Sequence, residues 1–388
     1  MKVCGIVVEY NPFHNGHLYH LTKARELTNC DVLIAIMSPT FMQRGEPALI
    51  NKFIRTKFAL EYGVDLIVEL PSVYAIQSAN HFAAGALKIL NELQINYLVF
   101  GSESSNLIDL QKAANISLLT DYQLLVKEYL QNGQRYATAC NKAFEHYNIK
   151  RIDLANDILS LAYLQEIAKN NYSIAPLSIQ RTNHYLSKKL HSDISSATAI
   201  RTALFNQQDI TSTTPMAQYL INNQDQLVFL NDFFKMLKYQ VNVLSINQIQ
   251  ELANFGEGLE YLFKKEINKA KDIDDFINRV SSKRYPKTRV QRLIVNVLCN
   301  IKQKDLSHKI DYIRVLGMNQ HGQQYLKTIK KQTDYQVITS FSQHKSPILE
   351  LEHKISTIYS LCKPQLNYLA ALEYQQAVII KQKSQSLI

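Results

Sequence analysis

The chain has 388 residues, 46% hydrophobic and 20% charged; this is an ordinary balance for a globular fold with room for more than one domain. No apolar run approaches the ~20 residues of a membrane helix, and the short apolar start, with one lysine and no small-residue cleavage site, falls short of a secretory signal. A cytoplasmic protein is therefore expected. The net charge of +10 is uneven: residues 1–205 carry 19 Lys and Arg against 17 Asp and Glu, and residues 206–388 carry 24 against 16. A basic second half points to a polyanion, with nucleic acid ahead of a membrane surface.

In chain order, "KVCGIVVEY" is a β-branched apolar run, read as a buried strand. "GHLYHLTKAREL" has helical spacing, with Leu18, Leu21, Ala24 and Leu27 on one stripe. "DVLIAIM" (31–37) is a second strand, and "NKFIRTKFALEYG" is a helix stopped at Gly63. "VDLIVEL" (64–70), "ANHFAAGALKILNEL" and "INYLVFG" (95–101) continue the alternation. Strands apolar throughout and separated by single helices predict βαβ units, hence a parallel sheet covered on both faces. Helices follow over 107–170, then a fifth strand at "SIAPLSIQR" (173–181) and a helix opening at "SSATAIRTALF". The polar stretch 206–214 before Pro215 is the expected boundary. Beyond it, helical periodicity runs to the C-terminus, except for a candidate strand at "YQVITSF" (335–341). The expectation is α/β: a Rossmann-like domain over 1–205 with a helical insertion at about 107–170, then a mainly α-helical basic domain over 215–388.

Five scattered cysteines (Cys4, Cys30, Cys140, Cys299, Cys362) without a CxxC read as reduced, mostly buried thiols.

In an open parallel sheet, ligands sit beyond the carboxyl ends of the strands. The loop after the first strand, "EYNPFHNGH", occupies that place. Pro12 sets a turn, Asn15-Gly16 makes another, and Gly16 lets a ligand approach the backbone. His17 falls at the start of the next helix, where free N–H groups favour an anion. His14 lies one turn earlier and faces the same space. Two imidazoles and a helix N-terminus can hold a polyphosphate and stabilise the charge that develops as it leaves. His20 reads as a structural neighbour. A zinc site at the three histidines would want a carboxylate or thiolate, and no HExxH or Cys ligand accompanies them, so no metal site is assigned.

"FHNGH" resembles the HxGH signature of the nucleotidyltransferase superfamily, and "SSATAIR" (195–201) resembles its second signature, ISSTxIR at a helix start. Together with "GIVVEYNPFHNGHLYH", "MSPTFMQRGEPA", "VELP", "FGSE" and "NDIL", they make the chain similar to the bacterial tRNA(Met) cytidine acetate ligase family. The resemblance covers residues 1–205 and, more loosely, the helical half. It implies that acetate and ATP form acetyl-adenylate, whose acetyl group passes to N4 of the wobble cytidine of elongator tRNA(Met).

By motif, the implied ATP site comprises Val7, Val8, Glu9, Tyr10, Asn11, Pro12, Phe13, His14, Asn15, Gly16, His17, Leu18, Tyr19 and His20, with Gly101 of "FGSE", Asn156 of "LANDIL", Arg181, Ser196 and Thr198. Ser196 and Thr198 are of a type to cap a helix and bind phosphate. His14, His17 and Arg201 are the implied catalytic set: they neutralise charge on the departing pyrophosphate, with Mg²⁺ on the phosphates. The chain departs from the family's commoner "PNNILG" form at Leu154, Ala155 and Ser160. Arg44 and Glu46 of "QRGEPA" are candidates for the substrate side, or for a loop ion pair.

In the basic half, "SSKRYPKTRVQRLIVNVL" (281–298) holds Lys283, Arg284, Lys287, Arg289 and Arg292 with no acid among them. Val290, Leu293, Ile294 and Val297 face the opposite way, so this is a candidate RNA-backbone reader, with Tyr285 placed to stack on a base. A small-molecule adenylyltransferase of pantetheine-phosphate or nicotinamide-mononucleotide type accounts for both signatures but not for this half. A non-catalytic RNA-binding protein on a decayed nucleotide fold is the third reading; intact His14, His17 and Arg201 argue against it.

Overall fold

The computed structural model describes residues 1–181 and 194–382. β1 (Val3–Val8), β2 (Val32–Met37), β3 (Leu66–Glu69), β4 (Tyr97–Ser102) and β5 (Ala175–Gln180) form the sheet expected from the apolar runs. All pairings among these five strands are parallel. Burial on both faces explains why the strands lack a polar stripe. Along β2, Val32, Ile34 and Ile36 enter one core and Leu33, Ala35 and Met37 the other. The first core packs beneath α3 (Ala79–Glu92) and α4 (Ala155–Asn170); the second packs beneath α1 (Asn15–Thr28), α2 (Lys52–Glu61) and α5 (Ala197–Phe205). Helices Leu107–Ile116, Thr120–Gln131 and Tyr136–Glu145 fill the insertion between β4 and α4.

The strand order is β5-β4-β1-β2-β3-β6-β7, with β8 also paired to β6. β6 (Tyr312–Met318), β7 (Gln336–Ile338) and β8 (Ile379–Ile380) all come from the second half, and β6 joins β3 antiparallel. The sheet thus crosses the boundary expected at 206–214. The sequence reading, helical there except near 335–341, did not foresee β6. The cause is Arg314, a buried charge that breaks the apolar run; its partners are Glu69 at the end of β3 and Glu373 in the helix Leu369–Gln375. Lys52 on α2 pairs with the same two carboxylates. This quartet ties the C-terminal helices to the parallel sheet. Burial alone would raise Glu373, but Arg314 and Lys52 hold its carboxyl down at about 2.

The chain runs β1, β2, β3 outward in one direction and then returns to place β4 on the other side of β1. This switch point opens a crevice above the carboxyl ends of β1 and β4, where a ligand belongs.

Candidate active site

A cavity of about 480 Å³ occupies the crevice. Its floor is the end of β1, and the backbone there is held from below. The guanidinium of Arg55, a fully buried residue of α2, donates to the carbonyls of Glu9 (2.7 Å), Ser38 (2.8 Å) and Pro39. One cation thereby pins the outgoing ends of β1 and β2. The chain then turns through Tyr10, at φ +50°, and the cis Asn11-Pro12 bond. Asn11 fastens the turn to the loop after β2: its Nδ2 donates to Pro47 O at 3.1 Å, and its Oδ1 accepts from Leu49 N at 2.6 Å.

His14 is the N-cap of α1, and its Nδ1 accepts from Gly16 N at 3.0 Å. His17 is the third residue of the helix, and its Nδ1 accepts from His14 N at 3.2 Å. The two imidazoles form a capping box, with ring centroids 3.8 Å apart. A Cβ on Gly16 would lie 2.9 Å from the His14 ring, so glycine is required for this approach. Because both Nδ1 atoms accept, the proton of each neutral ring resides on Nε2.

Both rings are neutral at physiological pH. Burial, with Arg181 and Arg201 nearby, lowers His14 to about 3. Burial and the adjacent His14 push His17 well below the ordinary histidine range. The sequence reading assigned these residues a charge-neutralising role beside the arginines without fixing their protonation; burial in the structure makes them preorganised neutral donors. His20 is separate: its Nε2 meets Val99 O at 3.3 Å, and burial lowers it to about 4.

Val7, Val8, Glu9, Tyr10, Asn11, His14, Gly16, His17, Tyr19 and His20 line the cavity with Gly101, Asn156, Arg181, Ser196 and Arg201. Pro12, Phe13, Asn15, Leu18 and Thr198, assigned to the nucleotide by motif, are not on its wall. Phe13 is a core residue, stacked on Tyr62 at 5.4 Å. Leu18 packs against the same core. Asn15 is turned to the 212–213 backbone, with Nδ2 2.8 Å from Ser212 O. Thr198 Oγ1 accepts from Arg201 at 3.3 Å, which occupies it within its own helix. Ser196 does cap α5, accepting from Ala199 N at 3.0 Å.

Arg201 ties the second signature to the first: it donates to Asn11 O at 2.7 Å and is ion-paired with Glu46. Glu46 therefore faces Arg201 rather than a substrate. Glu9 accepts from Gln43 N at 2.7 Å, and burial raises its carboxyl.

On the β4–β5 side, two carboxylates clasp each other's loops. Glu103 accepts from the backbone N–H groups of Asn156 (2.9 Å) and Asp157 (3.0 Å) at the start of α4. Asp157 in turn accepts from Ser102 Oγ (2.6 Å) and Glu103 N (2.9 Å) after β4. The clasp presents Asn156, whose Oδ1 accepts from Arg181 at 3.5 Å. Glu103 and Asp157 were missed in the sequence although each adjoins a chosen motif residue; an acid beside the Gly-Ser turn and another at a helix start were the available signals.

The basic stretch 281–298 centres on α6 (Lys287–Leu298), anchored by buried Val290, Leu293, Ile294 and Val297. Lys283, Arg284 and Lys287 are exposed. Glu257, remote in sequence, faces them, 3.5 Å from Arg284 and 3.3 Å from Arg289. Tyr285 lies beneath both guanidiniums, at 5.8 and 5.2 Å, and donates to Glu257 O. Arg292 parts from this group and lines the cavity beside Gln43 and Arg44.

Fold, switch-point cavity and the imidazole pair at a helix start define a class. A family model described as HIGH Nucleotidyl Transferase matches residues 1–373. Among similar proteins, the tRNA(Met) cytidine acetate ligase of Caldicellulosiruptor saccharolyticus is 40% identical, over 97% of this chain and 98% of its own. The Clostridium perfringens protein of that name is 38% identical, over 94% and 96%. Two crystal structures of Thermotoga maritima TmcAL, each 30% identical over 98% of this chain and 99% of theirs, superpose with TM-scores of 0.91 (apo) and 0.89 (bound with alpha-thio ATP). The chain belongs to the HIGH nucleotidyl transferases and, within them, to the tRNA(Met) cytidine acetate ligase family.

Proposed function

We propose that the protein activates acetate with ATP and transfers the acetyl group to N4 of the wobble cytidine of elongator tRNA(Met), giving N4-acetylcytidine. The observation that carries this is the pair of neutral imidazoles, His14 and His17, at the helix start over β1. It agrees with relatives of that name matching nearly the whole chain and with a structural relative that binds an ATP analogue. A pantetheine-phosphate or nicotinamide-mononucleotide adenylyltransferase leaves the second half without a use, whereas these relatives match through it.

In this reading the nucleoside lies on the β4–β5 side, against Gly101, Asn156 and Arg181. The triphosphate crosses the end of β1 to His14, His17, Ser196 and Arg201. An acetate oxygen attacks the α-phosphorus, the bond from that phosphorus to the bridging oxygen of pyrophosphate breaks, and no proton is transferred. Acetate is already ionised and needs no general base; positioning and charge dispersal supply the catalysis. Neutral Nε2–H donors suit this step, because they meet developing phosphate charge without having to lose a counter-ion first. Cytidine N4 then attacks the acetyl carbon, AMP leaves, and the amine loses a proton.

Among the described residues, no three His, Cys, Asp or Glu side chains converge to hold a metal. Imidazole and guanidinium donors fit phosphate oxygens rather than a cation, so Mg²⁺ would arrive on the triphosphate. Residues 1–205 carry the nucleotide chemistry, and residues 215–388 carry tRNA binding through Lys283, Arg284, Lys287 and Arg289. No described helix is long and apolar enough to cross a membrane; tRNA and ATP as substrates support a cytoplasmic location. Acetate-dependent exchange of labelled pyrophosphate into ATP tests the first step. Exchange with acetate alone supports the reading, and exchange that requires a mononucleotide instead refutes it.

A further inference from the structure

We infer that Arg292, delivered by the C-terminal half, forms with Arg44 the subsite that receives the carboxylate of acetate. The inference rests on the acetate-activating reading above. Four arginines line the cavity: Arg44, Arg181, Arg201 and Arg292. Arg201 is ion-paired with Glu46, and Arg181 lies on the β4–β5 side, 3.5 Å from Asn156 Oδ1. Arg292 is partly buried, and among the described residues no carboxylate pairs with it. Its one hydrogen bond is long, 3.5 Å to Gln43 O. Its charged neighbours are Arg289 and Arg44, which with burial lower it to about 10 and leave it a cation at neutral pH. Even a partly buried guanidinium among cations is costly unless an anion completes it.

Position in the sheet selects the anion. Gly101, at the end of β4, and Arg181, just after β5, lie on the nucleoside side, while Gln43 and Arg44 follow β2, on the opposite side of β1. An anion held at Arg44 and Arg292 approaches the α-phosphate over β1 from the side away from the nucleoside. Ala79 and Phe82, which also line the cavity, suit a methyl group.

The contact is built for closeness. Gly45, at φ +80°, presses on α6 at Arg292 itself: a Cβ there would lie 2.4 Å from Gln291 C and 2.5 Å from Arg292 N. Gly45→Ala must therefore move Arg292 without altering either arginine.

The test combines the KM values of AMP formation with acetate binding, followed by [1-¹³C]acetate line broadening in the presence of a non-hydrolysable ATP analogue. Wild type, R292Q, R292K and G45A are compared, with circular dichroism confirming folding. R292Q is expected to raise the acetate KM at least about tenfold and to abolish broadening, the loss of a charge-assisted hydrogen bond pair. R292K recovers part of the loss, G45A shifts in the same direction, and KM for ATP and tRNA affinity stay within about twofold. Unchanged acetate KM and broadening in R292Q, or a loss confined to tRNA or ATP, overturns the inference. Wild type that broadens acetate through Arg292 yet forms no AMP overturns only the acetate-activating reading.

Discussion

At the scale of single residues, the decisive property of His14 and His17 is neutrality. A sequence shows two histidines three apart and a helix beginning between them; it does not show that both are sealed under Arg181 and Arg201, where a second cation is unwelcome. Identity and position were therefore legible, and protonation state was not. His17→Ala removes one Nε2–H donor from the departing phosphates and is expected to cut acetate-dependent pyrophosphate exchange about 10²- to 10³-fold, as loss of an oxyanion donor does. Filter binding should show tRNA affinity retained. Burial also fixes a stability trend. His14 and His20 bind protons near pH 3 and 4 when folded but near 6.5 when unfolded, so the unfolded state takes up more protons between these values. Their contribution is complete above pH 6.5 and declines as pH falls towards the folded values, by about 2 kcal/mol per histidine at pH 5. Urea midpoints at pH 7 and 5 measure this; a His20→Gln variant should lose less than wild type on acidification.

At the scale of elements, the parallel strands were readable because each is an uninterrupted apolar run, and α5 because Ser196 caps it. The clasp of Glu103 and Asp157 was not, because each carboxylate serves a loop more than fifty residues away. α6 shows the same limit. Its buried face follows from the spacing of Val290, Leu293, Ile294 and Val297, yet Glu257 and the divergence of Arg292 into the cavity are tertiary facts. The basic stretch thus divides: Arg284, ahead of the helix, and Arg289, on it, gather at Glu257, whereas Arg292 lines the cavity; in the proposed function the first two meet RNA. Arg284→Ala with Arg289→Ala should weaken tRNA binding and lower the slope of log affinity against log salt by about one to two. An unchanged slope would show that these residues touch no phosphate.

At the scale of the molecule, the two halves share one sheet and one core. Val3, Ile34, Phe82 and Leu90 from the first half belong to the same buried cluster as Leu293, Ile313 and Ile355 from the second. The quartet of Lys52, Glu69, Arg314 and Glu373 spans the join. Glu373→Ala leaves two buried cations with one carboxylate fewer and should cost about 3–5 kcal/mol. Loss should occur in a single thermal transition across both halves; two separated transitions would show that they fold independently. Sequence patterning missed this union because a strand carrying Arg314 does not read as a buried one until its partners, 245 and 59 residues away, are known. The union brings Arg292 of the second half to the cavity lined by His14, His17 and Arg201 of the first; in the proposed function it joins the acetate side to the phosphate side.

The proposed activity turns on the fate of one acetyl group. Nucleoside mass spectrometry of tRNA incubated with the protein, ATP and doubly ¹³C-labelled acetate follows it directly. The label should appear in N4-acetylcytidine of elongator tRNA(Met) only when protein, ATP and acetate are all present, with AMP formed in equal amount. Cytidine left unlabelled while the protein turns ATP over to AMP, or acetylation that draws on unlabelled acetyl donors, would contradict it.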